Sequence, residues 1–135
     1  MTSSPGVGFA RAAHGYVGMP FRLRGRDPAS GVDCIGLVCC SLAAVDRFVP
    51  PVPRYTLRNL SICKFVPLLH EAGFQPTSGS LAAGDLLLLH PSPGQFHLAI
   101  NGLNDRMIHA HAGLGRVVST PTPPLANITA RWRLS

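Results

Sequence analysis

Three residues of this 135-residue chain, Cys34, His97 and His109, have the types and order that nucleophilic acyl transfer requires. That chemistry needs a sulfur nucleophile, an imidazole within reach to take its proton, and a group that fixes the imidazole's tautomer and ring angle. Cys34 stands in Gly31-Val32-Asp33-Cys34-Ile35-Gly36-Leu37-Val38, where a polar loop meets an apolar stretch of helical character. A thiol at a helix start feels the macrodipole and unpaired backbone N–H groups, so a lowered pKa is the expectation. His97 lies in Gln95-Phe96-His97-Leu98-Ala99-Ile100, where alternation puts it on the face of Gln95 and Ala99, opposite Phe96, Leu98 and Ile100. His109 follows in Met107-Ile108-His109-Ala110-His111, and an antiparallel neighbouring strand would bring it beside His97. His97 is then the general base and His109 the orienting residue. His111 faces the same side and competes for that third position. The plain alternatives are a buried core cysteine at 34 and a structural strand histidine at 97.

Several elements must position these side chains. Phe9, Ala12, Ala13 and Tyr16 recur at helical spacing, which predicts a helix over about residues 5–17, ended by Gly18-Met19-Pro20. Residues 21–33 read as a polar loop. A second helix runs from Asp33 or Cys34 to Ala44 or Arg47, with Asp33 placed to cap its first turn rather than to act as an acid. Pro50-Pro51-Val52-Pro53-Arg54-Tyr55 cannot be helical and reads as an extended surface crossing. A third helix fits Leu60 to Ala72, with Gly73 as its stop and Pro67 as a kink or as its true first turn. Then the period changes. Leu86–His90, Phe96–Asn101, Arg106–His111, Arg116–Thr120 and Ile128–Leu134 are short runs between turn residues and read as strands of an antiparallel meander or small barrel. Asp85, after Gly84, reads as the cap of the turn before its strand. Helices first and strands after them give an α+β architecture in one domain, residues 1–135.

Composition narrows the function. The chain carries 12 Lys and Arg against 6 Asp and Glu, and Arg22, Arg24 and Arg26 alternate just before the cysteine loop, which suggests a basic rim suited to an anionic polymer. Aromatic residues make up only 7% and are not interleaved with the basic ones, so nucleic-acid binding is not expected. No apolar run approaches a membrane span, and Met1–Gly8 has neither the basic nor the apolar region of a secretory signal. Cys34, Cys39, Cys40 and Cys63 form no C-x-x-C pair, and Cys39 and Cys40 read as small buried hydrophobes. Six histidines include no i, i+4 helical pair, and His109 with His111 supplies two ligands only, so neither a metal nor another cofactor is expected. His14, His70 and His90 read as ordinary surface or helix residues.

The blocks Gly31–Val38, Ala83-Gly84-Asp85-Leu86-Leu87, His97-Leu98-Ala99-Ile100 and Met107-Ile108-His109-Ala110 resemble, in this order, the NlpC/P60 superfamily of cysteine peptidases. Gly18-Met19-Pro20-Phe21 resembles the family's Gly-x-Pro-Tyr entry. The resemblance implies a papain-like fold, with the nucleophile at a helix N-terminus packed on a C-terminal antiparallel sheet of five to six strands or a half-barrel. It implies a cysteine endopeptidase acting on the D-γ-glutamyl to diamino-acid bond of peptidoglycan stem peptides. Within the family the likeness is to compact peptidases encoded in tail modules of phages and gene transfer agents. That likeness implies tail-hub or baseplate partners, synthesis in the bacterial cytoplasm, and action at a tail tip in the target cell's periplasm during DNA delivery. The alternative is a structural tail-hub module with weak or no turnover. Two departures stand beside the family pattern. Phe21 occupies the place of a Tyr associated with substrate binding, with Tyr16 the nearest phenol to replace it. Ile35 follows the nucleophile where relatives carry Ser, which alters the pocket wall. Tyr16, Phe21, Asp33 and Ile35 are therefore the candidate substrate-binding residues.

Overall fold

A computed structural model describes residues 4–55, 64–92 and 95–135. Helix α1 (Pro5–His14) starts at a proline, which suits a first helical turn because it has no N–H to leave unpaired. A short hairpin follows, β1 (Arg26–Asp27) with β2 (Gly31–Val32), inside the segment expected to be loop. Helix α2 (Cys34–Ala44) begins at Cys34, as the sequence predicts. Helix α3 (Val66–Ala72) carries Pro67 in its first turn and ends at Gly73, whose φ of 102° is the left-handed stop. Leu60–Cys63, the expected start of that helix, lies outside the described residues, and so does Cys63.

The second half forms strands β3 (Phe74–Pro76), β4 (Leu86–Ser92), β5 (Gln95–Asn101), β6 (Arg106–His111), β7 (Arg116–Pro121) and β8 (Ala130–Leu134). They make one antiparallel sheet in the order β3-β8-β4-β5-β6-β7. This is the expected α+β fold with a six-stranded sheet. The meander expectation holds only for β4 to β7, because β8 returns to pair with β4, Trp132 opposite Leu86. Alternation within a strand predicts which face it buries; it does not predict which edge a last strand will join.

The core lies between the sheet and α2. Phe9 and Ala13 of α1, Leu37 and Leu42 of α2, and Phe74, Leu86, Leu98, Ile100, Ile108 and Val117 of the sheet are buried together. Phe9 meets Phe74 edge-on at 5.5 Å between ring centres. Two glycines set how closely the layers approach. Gly84 has φ of 87°, and a Cβ there would lie 2.1 Å from the Gly6 carbonyl, so the turn into β4 seats directly on the start of α1. A Cβ on Gly36 would lie 1.9 Å from the Gly25 carbonyl, so the first turn of α2 packs against the preceding loop backbone. Asp85 is fully buried; it accepts the Ala82 N–H at 2.9 Å and is clasped by Arg133 at 2.8 and 2.9 Å, tying the turn to β8.

Candidate active site

Cys34 is the first residue of α2 and is only 2% exposed. Its helix is capped by Asp33, whose Oδ1 accepts the Gly36 N–H at 2.8 Å while its backbone carbonyl accepts the Leu37 N–H. The same carboxylate accepts the Arg24 N–H at 2.7 Å and the Tyr55 hydroxyl, and Arg26 Nη1 lies 3.4 Å from it. Arg26 also donates to the Tyr55 oxygen at 2.9 Å and lies over the Tyr55 ring. The start of α2 is thus held by a buried carboxylate with four donors around it. Arg26 is consequently not part of a solvated rim, although Arg22 and Arg24 are exposed. Tyr55 is 8% exposed, so the proline segment ends inside the molecule rather than on its surface.

Cys34 lines a cleft of about 380 Å³ together with Phe21, Gln95, His97, Met107, His109 and His111. His97 and His109 come from adjacent strands. The β5–β6 ladder runs through Ile100 opposite Ile108 and Asn101 opposite Met107, and extending it would set His97 across from His111. The paired positions stop there, and His97 Nε2 lies 3.0 Å from His109 Nδ1. His111 is engaged elsewhere: its Nδ1 accepts the Leu114 N–H at 3.0 Å and closes the turn into β7. Of the two candidates for the third position, His109 is the one hydrogen-bonded to His97. His109 is buried, and its Nε2 lies 2.9 Å from Thr120 Oγ1 on β7. Thr120 is a functional residue that the sequence does not single out: β7 (Arg116-Val117-Val118-Ser119-Thr120-Pro121) holds other polar residues, and only the register, with Val118 opposite His109, puts the Thr120 hydroxyl on the histidine's face.

The electrostatics reverse one expectation. Burial, and after it the Asp33 carboxylate, push the Cys34 thiol up to about 12, against the backbone N–H groups of Leu98, Ile35 and Cys34, which favour the thiolate. Helix-start placement alone predicts a lowered value; the sulfur is too deeply enclosed for that to prevail. His97 falls to about 4 through burial and then the neighbouring His109 and His111, and His109 falls to about 4 through burial and then His111. At neutral pH the resting site is a thiol beside two uncharged imidazoles.

The remaining candidates separate. Phe21 reaches the cleft. Tyr16 does not: it walls a different groove with Arg26, Cys39 and Cys40, and its hydroxyl is 3.4 Å from the Cys40 carbonyl. Ile35 faces an apolar pocket with Val38, Leu42, Phe65 and Leu98. Asp33 is enclosed and occupied by its four donors. Cys40 is buried and Cys39 half-buried. His14, His70 and His90 are exposed, His90 stacking on Phe96 at 4.7 Å. Among the described residues no group of three His, Cys, Asp or Glu side chains is arranged to hold a metal ion, and no helix is long and apolar enough to cross a membrane.

The fold has solved counterparts. NlpC1 from Trichomonas vaginalis superposes with a TM-score of 0.70 at 16% identity, over 98% of this chain and 46% of that one. The peptidoglycan hydrolase RipB from Mycobacterium tuberculosis gives 0.63 at 24% identity, over 96% of this chain and 64% of that one. The NlpC/P60 domain of the peptidoglycan hydrolase SagA gives 0.62 at 24% identity, over 98% and 99%. The chain thus spans about half of NlpC1 and just under two thirds of RipB, but nearly all of the SagA domain. No curated protein matches by sequence. At these identities the superpositions establish the fold. The sequence itself carries the assignment further, because residues 18–127 match the NlpC/P60 family model, a span that includes the cleft, the capped helix and both histidine strands: the chain belongs to the NlpC/P60 family.

Proposed function

We propose that this protein is a cysteine peptidase that hydrolyses peptidoglycan stem peptides, with Cys34 as nucleophile, His97 as general base and His109 as the residue that orients His97. The observation that carries this reading is the convergence of Cys34, His97 and His109 on one cleft, with His97 Nε2 held by His109 Nδ1. That bond leaves Nδ1 of His97 as the nitrogen for proton transfer. As the sulfur attacks the substrate carbonyl, its proton passes to His97 Nδ1, and the imidazolium then protonates the leaving amine. Water, deprotonated by the same nitrogen, releases the acyl group and restores the thiol. The N–H groups of Cys34 and Ile35 at the start of α2, which with that of Leu98 favour the thiolate, serve as donors to the oxyanion in this reading. Because the resting sulfur is protonated, the thiolate forms in the attack itself and does not wait as an ion pair.

Peptidoglycan as substrate is supported by family membership and by the hydrolase character of RipB and SagA. The D-γ-glutamyl to diamino-acid bond and a tail-tip setting in a phage or gene-transfer-agent particle, with hub or baseplate partners, extend the proposal on the resemblance of the sequence motifs. Digestion of purified sacculi and muropeptides, resolved by mass spectrometry, tests it: stem-peptide fragments should appear with the wild type and vanish with Cys34→Ala. Equal products from both proteins, or none from either the free protein or the assembled particle, would end it. A structural module with little turnover is the second reading, favoured by the near-complete enclosure of Cys34. Under it, particles carrying Cys34→Ala deliver DNA normally.

A further inference from the structure

We propose that Thr120 is a positioning residue of this site: its hydroxyl, accepting from His109 Nε2–H, selects the tautomers that leave His97 Nδ1 free to act as a base. The inference rests on the assignment of His97 as base and deepens it.

Three ring nitrogens and one hydroxyl form a chain. His97 Nε2 lies 3.0 Å from His109 Nδ1, and His109 Nε2 lies 2.9 Å from Thr120 Oγ1. A neutral imidazole carries one N–H, so each ring must choose which nitrogen bears it. Two nitrogens facing one another can share one hydrogen only, which allows two arrangements. In the first, His97 donates from Nε2 to His109 Nδ1, and His109 donates from Nε2 to the Thr120 oxygen. His97 Nδ1 then carries a lone pair. In the second, every donor reverses: the Thr120 hydroxyl donates to His109 Nε2, and His109 Nδ1–H donates to His97 Nε2. His97 Nδ1 then carries hydrogen and cannot take the thiol proton.

The reaction itself requires the first arrangement. When the Cys34 proton moves to His97 Nδ1, the ring becomes an imidazolium with hydrogen on both nitrogens, so Nε2–H must find an acceptor. His109 Nδ1 can accept only if His109 holds its hydrogen on Nε2, where Thr120 receives it. No proton travels along the chain; one proton moves, from sulfur to Nδ1. Thr120 thus sets the state of His97 across two hydrogen bonds, and no carboxylate is involved in the chain.

The geometry makes the role specific to position 120. His109 pairs with Val118 across β6 and β7, and Thr120 is its diagonal neighbour on the same face. Removing the hydroxyl leaves His109 Nε2–H without its protein acceptor in a part-buried place, which penalises the competent tautomer. The second arrangement loses only an incoming donor at a lone pair, a smaller loss. The balance therefore tips toward the inactive tautomer.

Two variants and one spectroscopic readout test this. Thr120→Val preserves shape and removes the acceptor, whereas Thr120→Ser retains it. Long-range proton–nitrogen correlation spectra of histidine-labelled protein read the tautomers directly and need no turnover. We expect Nε2–H on both His97 and His109 in the wild type and a shift of His109 toward Nδ1–H in Thr120→Val. A wrong tautomer is costly in such sites, so turnover of Thr120→Val on muropeptides should fall about 10-fold or more through kcat, with KM unchanged. Thr120→Ser should recover most of the loss. His109 protonated on Nδ1 in the wild type would overturn the proposal. So would an unshifted tautomer in Thr120→Val, or equal loss of activity in the Ser and Val variants. A wild type without turnover would instead defeat the peptidase assignment, while the tautomer spectra still decide what Thr120 does.

Discussion

Asp33→Ala should be among the most destabilising changes in this fold. The carboxylate is fully buried and accepts the Gly36 N–H, the Arg24 N–H and the Tyr55 hydroxyl, with Arg26 Nη1 at 3.4 Å. Loss of the helix cap costs about 1 kcal/mol. Hydrogen bonds to a charged acceptor contribute about 1.5–3 kcal/mol each, so losing those from the Arg24 N–H and the buried Tyr55 hydroxyl brings the sum to about 4 kcal/mol. Arg26 adds little, because its side chain is a third exposed and its distance is long. Against a typical total of about 5–15 kcal/mol, such a loss brings a domain near the edge of folding. Asp33→Asn keeps the shape and one acceptor oxygen, so it should lose about half as much. Urea unfolding followed by fluorescence measures both, and a loss below about 1 kcal/mol for Asp33→Ala would refute the idea that this carboxylate organises the start of α2. The same variant probes the thiol. With the charge gone, Cys34 in Asp33→Asn should titrate below about 12 but stay above its ordinary 9.0, because burial is the larger cause. Thiolate absorbance, taken as the difference from the matching Cys34→Ala background, reads that value.

Other consequences follow from single contacts. His97 and His109 have folded-state pKa values lowered from 6.5 to about 4, so the unfolded chain binds more protons than the folded one between those values. Stability should therefore be fully present above about pH 6.5 and fall as the pH drops toward 4; a urea midpoint independent of pH across that window would contradict the burial of the pair. Gly36→Ala places a methyl 1.9 Å from the Gly25 carbonyl and should cost about 3 kcal/mol or more, with a lowered Tm and reduced turnover as Cys34 shifts with its helix. Arg133→Met leaves the Asp85 carboxylate buried without its cation; allowing for the 41% exposure of the arginine, unfolding should show a loss of about 2 kcal/mol.

What the sequence disclosed was whatever its neighbours along the chain determine. The start of α2 at Cys34 follows from a capping Asp before an apolar run, and β5 and β6 follow from alternation around His97 and His109. The partners that arrive from elsewhere were not legible. Tyr55 lies 22 positions from Asp33, in a proline segment whose local pattern says only that it is extended. The alternation of Arg22, Arg24 and Arg26 suggests a basic rim, yet the Arg26 guanidinium reaches Asp33 and Tyr55, partners its local sequence does not name. Tyr16 on the adjacent helix is the expected replacement for the missing phenol, but it lines another groove with Cys39 and Cys40 of α2. The expected thiolate failed for a different reason. Macrodipole and N–H donors can be read from position in a helix, while the enclosure that outweighs them depends on how the sheet packs over the sulfur.

The central claim is that Cys34 carries the acyl group. Acid quenching of the protein during turnover of muropeptides, followed by proteolysis and mass spectrometry, should find a stem-peptide fragment in thioester linkage to Cys34 and to none of Cys39, Cys40 or Cys63. Release of product with no such adduct at Cys34, or undiminished release by Cys34→Ala, would contradict the account.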